Sequence, residues 1–366
     1  MSESAPGGAS RRRAGVVTAP ARVNLIGDHT DYQDGLCVPM AIDRGVEVEW
    51  TQRDDRRITV QSDAVSGIVT VDLDGASPPA RTDDSPAWGA SVTAIVRALR
   101  ERGHDAGAID AQVRSTVPLG SGLASSAAFG VACALALSDA AGAPLAGTEL
   151  ALVAQQAEHL GGVPCGVMDQ MASVHGRLGH ALLLDCRSLT VEPIPIPRDV
   201  AVIVVHSGLP RRLADSEYAR RREACAAAAA RLHIAALRDA SALDVADDPF
   251  ARHVVSENAR VVEFARALRG DDRTELGALM NASHASLRDD FAVSTPELDA
   301  LVGALLDAGA LGARLTGAGF GGSVVALAPH GRAAAIASNA AERYRAATSL
   351  TPTAFVTTAV DGATKQ

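Results

Sequence analysis

Four short segments carry the side chains that could do chemistry. In the first, Arg22, Asn24, Asp28, His29, Asp31 and Tyr32 crowd hydrogen-bonding groups around Gly27. Carboxylates in such a stretch suit a neutral polyol, because each can accept charge-assisted hydrogen bonds from two hydroxyls. On spacing alone, an exposed turn after a strand, with Asp and His solvated or capping, is the plainer explanation. The second segment runs Val117-Pro-Leu-Gly-Ser-Gly-Leu-Ala-Ser-Ser-Ala127. Gly120 and Gly122 permit a tight turn whose amides can face an anion, backed by the free amides of a following helix. Ser125 or Ser126 can add a hydroxyl to a phosphate or a magnesium ion. No Gly-Lys-Ser/Thr follows, so this is not the Walker loop, and a turn with Ser as an ordinary helix cap remains the alternative.

The third segment, Leu311 to Gly322, holds five glycines in its last eleven positions. Each glycine costs backbone entropy, so close approach of a ligand or of another chain segment is the physical reason for them. In the fourth, Pro164-Cys-Gly-Val-Met-Asp-Gln-Met171, Asp169 is a lone carboxylate among small and apolar residues. Burying it alone is costly, so it is either paired, functional or a helix N-cap.

These segments need elements to position them. Val16-Val17, Gly45–Trp50, Ile58–Gln61, Ile109–Arg114, Ala181–Asp185, Ala201–Val205, Gly322–Leu327 and Thr353–Val360 read as strands by alternation and β-branching. Helices are expected at Gly89–Arg102, Ser125–Ala140, Thr148–His159, Asp169–His175, Ser216–Leu232, Val254–Leu268, Asp272–Ser286, Pro296–Asp307 and His330–Tyr344. Thr295 and Pro296 form a cap and first-turn pair. Ser77–Pro86 reads as a Pro/Asp-rich loop, residues 1–14 as a flexible tail, and Glu192–Pro197 as the linker between two halves. The whole is α+β, in two parts.

Composition bounds the function from outside. The chain has 366 residues, 47% hydrophobic, with a formal net charge of −9, enough for two domains with real cores. That acidity argues against a nucleic-acid surface, and 3% aromatic residues argue against a base-stacking platform. No stretch reads as a membrane span or a signal peptide. Five scattered cysteines without a C-x-x-C pair suit reduced thiols in a cytoplasmic protein.

Taken together and in order, the segments resemble the galactokinase family, within the superfamily of galacto-, homoserine, mevalonate and phosphomevalonate kinases. The residues that carry the resemblance are R-V-N-L-I-G-D-H-T-D-Y at 22–32, the 118–127 loop, Cys165-Gly-Val-Met-Asp-Gln170, Ser216-Glu-Tyr-Ala-Arg-Arg-Arg222, Asn281–Phe291 and Gly312–Gly322. They span about residues 16–362. The resemblance implies a two-domain small-molecule kinase fold, residues 15–192 and 193–366, with the active site in the cleft between them. It implies ATP-dependent phosphorylation of the anomeric hydroxyl of galactose, by a chain more often monomeric than oligomeric. Asp169 is then the catalytic carboxylate and Arg22 its partner, also near the transferring phosphoryl. Asp28, His29, Asp31, Gly166 and Tyr218 line the sugar pocket. Pro118, Gly120, Ser121, Gly122, Leu123, Ala124, Ser125 and Ser126 wrap the triphosphate, Trp88 lies near adenine, and Ser126 and Glu158 bind Mg2+.

The chain departs from the family pattern in carrying Asp28 for Glu, Gln33-Asp34 for Asn-Gly and Ala124 for Ser. Glu158 and Asp169 are eleven positions apart, one fewer than the family pattern. An N-acetylgalactosamine or other sugar 1-kinase and a non-catalytic, galactose- and ATP-responsive regulator are the alternative functions.

Overall fold

The computed structural model describes residues 12–75, 88–118, 120–209 and 214–366. The tail over 1–11 and the loop expected at 77–86 lie outside the described residues. Three sheets organise the chain. The largest has six strands in the order Thr364–Lys365, Ala14–Asn24, Pro39–Gln52, Ile109–Ser115, Arg57–Ser62, Ile68–Asp72. Only the pair Arg57–Ser62 and Ile109–Ser115 is parallel. A four-stranded antiparallel sheet follows, ordered Gly312–Thr316, Ser323–Pro329, Val200–His206, Thr353–Thr357. The third sheet joins Leu36–Cys37, His180–Asp185 and Thr190–Pro195.

Most expected elements are present to within a few residues; the two-residue strands Leu36–Cys37 and Thr364–Lys365 are additional, and four longer segments differ. Ala14–Asn24 is one long strand, not a short strand followed by a turn. Its second half is buried on both faces, so the period-2 alternation that marks a half-exposed strand is missing there. Ile68–Asp72, an edge strand, was not expected from the sequence. Gly312–Thr316, expected as loop, is a fully buried strand. The expected linker Glu192–Pro197 is mostly strand, because Thr190–Pro195 pairs with His180–Asp185 throughout. Its prolines are tolerated because this strand is an edge.

The helices Gly89–Glu101, Ser125–Ala140 and Gly147–Leu160 bury a core with Val48, Trp50 and Val113 of the six-stranded sheet. Pro296–Ala308 and Ala333–Thr348 bury a second with Ile203, Val205 and Val324 of the four-stranded sheet. A third core joins the two sheets: Val23, Leu25 and Met40 share one cluster with Val202, Val204 and Val325, and Phe264 belongs to it too. The end of the strand Ala14–Asn24 therefore lies at the junction.

Two glycines mark how closely the layers approach. A Cβ on Gly277, in the helix Arg273–Asp289, would lie 2.0 Å from the Leu311 carbonyl oxygen. A Cβ on Gly303, in Pro296–Ala308, would meet nothing within 4 Å. Gly277→Ala is expected to destabilise by about 1–3 kcal/mol through overpacking. Gly303→Ala is expected to stabilise by about 0.5–1 kcal/mol through helix propensity. Urea midpoints at unchanged slope check both, and equal effects would refute the close approach.

Candidate active site

Arg22 sits where its strand breaks register. Pro20 pairs with Gly45 but Arg22 pairs with Ala41, a bulge of the kind that re-aims side chains beside active sites. Gly45 permits it, since a Cβ there would meet the Ala19 carbonyl oxygen at 2.4 Å. The buried Arg22 guanidinium donates from Nε and Nη2 to the two carboxylate oxygens of Asp169, at 2.7 and 2.9 Å. Nη1 donates to the Gly122 carbonyl at 2.7 Å, and the Arg22 amide to the Leu123 carbonyl at 3.2 Å. Asp169 lies in the first turn of Met168–His175, with Val167 at the cap position, so it is not an N-cap. Ser173, one turn further on, donates to the Pro20 carbonyl at 2.7 Å and ties the helix to the bulge.

The stretch after the strand is not an exposed turn, because Asn24, Asp28, His29, Thr30 and Gln33 are all buried. The helix Pro249–Gly270 holds its backbone. His253 Nε2 donates to the Asp28 carbonyl at 3.2 Å, while Glu257 and Asn258 accept from the Gly27 and Leu36 amides at 2.9 and 2.7 Å. From the four-stranded sheet, the fully buried Arg314 donates to Asp28 Oδ2 at 2.5 Å, and the Gly317 amide to Oδ1 at 3.2 Å. Burial would push Glu257 up, but Arg260, His253 and Arg314 outweigh it and hold the carboxyl down at about 2.

His29 stands in the left-handed region at φ 65. Burial, aided by His253, lowers it to about 3, so the ring is neutral. Its Nε2–H then donates to the Ala318 carbonyl at 3.3 Å, and Nδ1 accepts from the Tyr32 hydroxyl at 3.0 Å. Burial, reinforced by the charges of Asp169 and Asp28, pushes Asp31 up to about 7. Gly166 faces it so closely that a Cβ there would lie 1.8 Å from Asp31 Oδ2.

Arg22, Asp28, His29, Asp31, Gly166 and Asp169 meet the glycine-rich turn around one cavity of about 230 Å³. Of the residues expected from sequence, Arg22, Asp28, His29, Asp31, Glu158, Gly166, Asp169 and Tyr218 line it, with Gly120, Gly122, Ala124, Ser125 and Ser126. Gly120, Gly122 and Ala124 all have positive φ, and Ala124 leads directly into the helix Ser125–Ala140, whose first amides are free. Pro118, Ser121, Leu123 and Trp88 are not among the lining residues. Leu123 is buried in the core between the sheets. Ser121 is buried beneath the loop, its carbonyl accepting from the Ser323 hydroxyl at 2.7 Å, and the Pro118 carbonyl accepts from the Ser121 amide at 3.3 Å. Trp88 packs edge-on to Phe129 and donates to the Ser66 carbonyl at 3.3 Å.

Arg314, Glu257 and His253 were missed by sequence reasoning. Arg314 had a signal, as the one charged residue in Leu311–Gly322; the other two are ordinary helix residues until the fold buries them.

Among the lining residues, four carboxylates face one guanidinium. Glu158 is pushed up by burial and by Asp169, while the Cys165 thiol and Ser126 hydroxyl act in the opposite direction. Its buried Oε1 has no hydrogen-bond partner. A bare carboxylate oxygen beside a serine hydroxyl is the donor chemistry of Mg2+, which takes one or two carboxylates and completes its shell with water and phosphate.

The fold and the glycine-lined cavity define a GHMP kinase. The GHMP kinase N-terminal and C-terminal domain families match residues 90–177 and 264–346. Mevalonate kinase from Methanococcus jannaschii shares the fold, at TM-score 0.68 and 18% identity over 97% of this chain and all of its own. The galactokinase galactose-binding signature matches residues 8–50. A galactokinase of Roseiflexus sp. (strain RS-1) is 44% identical, covering 95% of this chain and 92% of its own length. The crystal structure of Lactococcus lactis galactokinase complexed with galactose superposes at TM-score 0.90, with 30% identity over 97% of this chain and 95% of its own. The chain belongs to the galactokinase family.

Arg314→Met leaves Asp28 buried without its counter-charge, and should cost about 3–5 kcal/mol at neutral pH. Burial already raises the Asp28 pKa in the folded chain, with Arg314 opposing that shift. Without Arg314 the folded-state pKa rises further above its unfolded value, so the penalty grows as pH rises and is relieved as pH falls towards the ordinary carboxylate range. Denaturation of the variant at pH 5 and pH 8 checks this. A pH-independent loss would assign Arg314 to packing alone.

Proposed function

We propose that this chain transfers the γ-phosphoryl group of ATP to the anomeric hydroxyl of galactose, giving galactose 1-phosphate and ADP. The observation that carries the reading is the bidentate Arg22–Asp169 pair, set between the carboxylate-rich loop and the glycine-rich turn around one cavity. Phosphoryl transfer needs positioning and charge neutralisation more than covalent help. Asp169 is the catalytic carboxylate that accepts the hydrogen bond of the sugar hydroxyl. Arg22 holds both its oxygens in place and adds positive charge near the transferring phosphoryl.

Asp28, His29, Asp31, Gly166 and Tyr218 bind the sugar, with Asp31 accepting hydroxyls as a carboxylate. The turn at Gly120–Ser126 binds the triphosphate through backbone amides and the helix end. Ser126 and Glu158 are the residues that would hold Mg2+, which when bound supplies positive charge at the phosphates. Among the lining residues that charge is needed, because Arg22 alone faces four carboxylates. The halves 15–192 and 193–366, a monomeric state and a cytoplasmic location, where ATP is supplied, complete the reading.

Two measurements test it. With MgATP, ADP release should be fastest for galactose among galactose, N-acetylgalactosamine, glucose, galactosamine and mevalonate. Asp169→Asn should lower kcat by about 10²–10⁴-fold while ATP still binds; near-normal turnover would remove Asp169 from the mechanism. The raised Asp31 has a second consequence. Below about pH 7 it is protonated and loses acceptor capacity, so kcat/KM for the sugar should fall as pH drops through that value. Asp31→Asn should abolish the inflection, and a persisting inflection would assign it to another group.

A further inference from the structure

A second cavity, of about 430 Å³, opens where the strands Ala14–Asn24 and Pro39–Gln52 meet the returning segment 360–362. Ala19, Pro20, Ile42, Val46 and Val360 give it largely apolar walls. Arg44 also lines it, with its guanidinium carbon 4.0 Å from the centre of the Phe355 ring. Stacking on an aromatic face fixes a guanidinium while leaving its edge free to donate. Among the described residues Arg44 has no carboxylate within ion-pair distance, and its buried Nε–H has no acceptor. Of the lining carboxylates, Glu47 pairs at 3.1 Å with Arg114, which also lines the cavity, while Asp43 accepts from the Thr357 hydroxyl at 2.5 Å and Asp361 from the Leu178 amide at 2.9 Å and both keep their charge.

We propose that this cavity is a binding site for a small organic monocarboxylate with an apolar body. The carboxylate receives the two Nη groups of the Arg44 guanidinium in the two-pronged manner of such pairs, since Nε is covered, and the body covers the apolar walls. A dianion suits the site less, because one free cation cannot match two charges beside Asp43 and Asp361. Neither Arg44 nor Phe355 lines the catalytic cavity. The two cavities share no lining residue; Ala19 and Pro20 of the second lie just ahead of Arg22 on the same strand, at its register break with Pro39–Gln52.

The test uses the full chain with galactose and a non-hydrolysable ATP analogue filling the active site, and benzoate as the probe. Isothermal titration should give one saturable benzoate per chain, with neutral benzamide and inorganic phosphate giving none. Arg44→Met should weaken benzoate about tenfold or more, as expected for loss of a charged hydrogen-bonding partner, while turning over substrate like the wild type. Phe355→Leu, which removes the ring holding the guanidinium, should give the same loss by a second route. Absence of benzoate binding, undiminished binding to Arg44→Met, or equal binding of benzamide or phosphate would overturn the proposal.

Discussion

One guanidinium ties together the parts of the site that come from distant stretches of chain. Arg22 spends three nitrogens on three protein acceptors, two of them Asp169 oxygens and the third the Gly122 carbonyl. It sits where the partner strand Pro39–Gln52 carries extra residues between Ala41 and Gly45, and Ser173 ties the helix back to Pro20 beside that break. The carboxylate, the glycine-rich turn and the strand are therefore a single rigid unit. Its donors form a planar fork, which fixes direction as well as distance.

Behind that unit lies a buried polar layer. Asp28 is held by Arg314 and the Gly317 amide, while Gly27 is held by Glu257. A buried ion pair adds little net stability over apolar packing, but losing one partner is expensive. What the layer enforces is therefore position. It clamps the first polar segment against the third glycine segment, drawing on the six-stranded sheet, the four-stranded sheet and the helix Pro249–Gly270.

The charge of the cavity runs opposite to what a triphosphate site suggests. Carboxylates outnumber cations among its lining residues, so in the proposed function anion binding falls to backbone amides, a helix end and a divalent cation. An acidic chain with a net charge of −9 is compatible with an anionic substrate for that reason. The same carboxylates suit the uncharged hydroxyls of a sugar, and burial, with the repulsion of Asp169 and Asp28 added, raises Asp31 towards neutrality.

How far the sequence reaches can be seen residue by residue. Helices with strong caps or long alanine-rich faces were legible: Ser125–Ala140 and Pro296–Ala308 with its Thr295 cap have the limits or starts that local chemistry predicts. So were the glycine segments, Asp169 and the polar stretch at 22–32, because residue type and order are enough to suggest a phosphate turn, a carboxylate and a polyol site. The strand Gly312–Thr316 and the second half of Ala14–Asn24 were not, since strands buried on both faces lose the alternation that reveals them. Arg314, Glu257 and His253 were not either. Their significance comes from burial beside Asp28, and burial depends on contacts hundreds of positions apart. Sequence by itself determined which chemistry the chain can perform; tertiary structure alone decided which polar groups face the cavity and which hold it open, because desolvation and pairing exist only once distant segments meet.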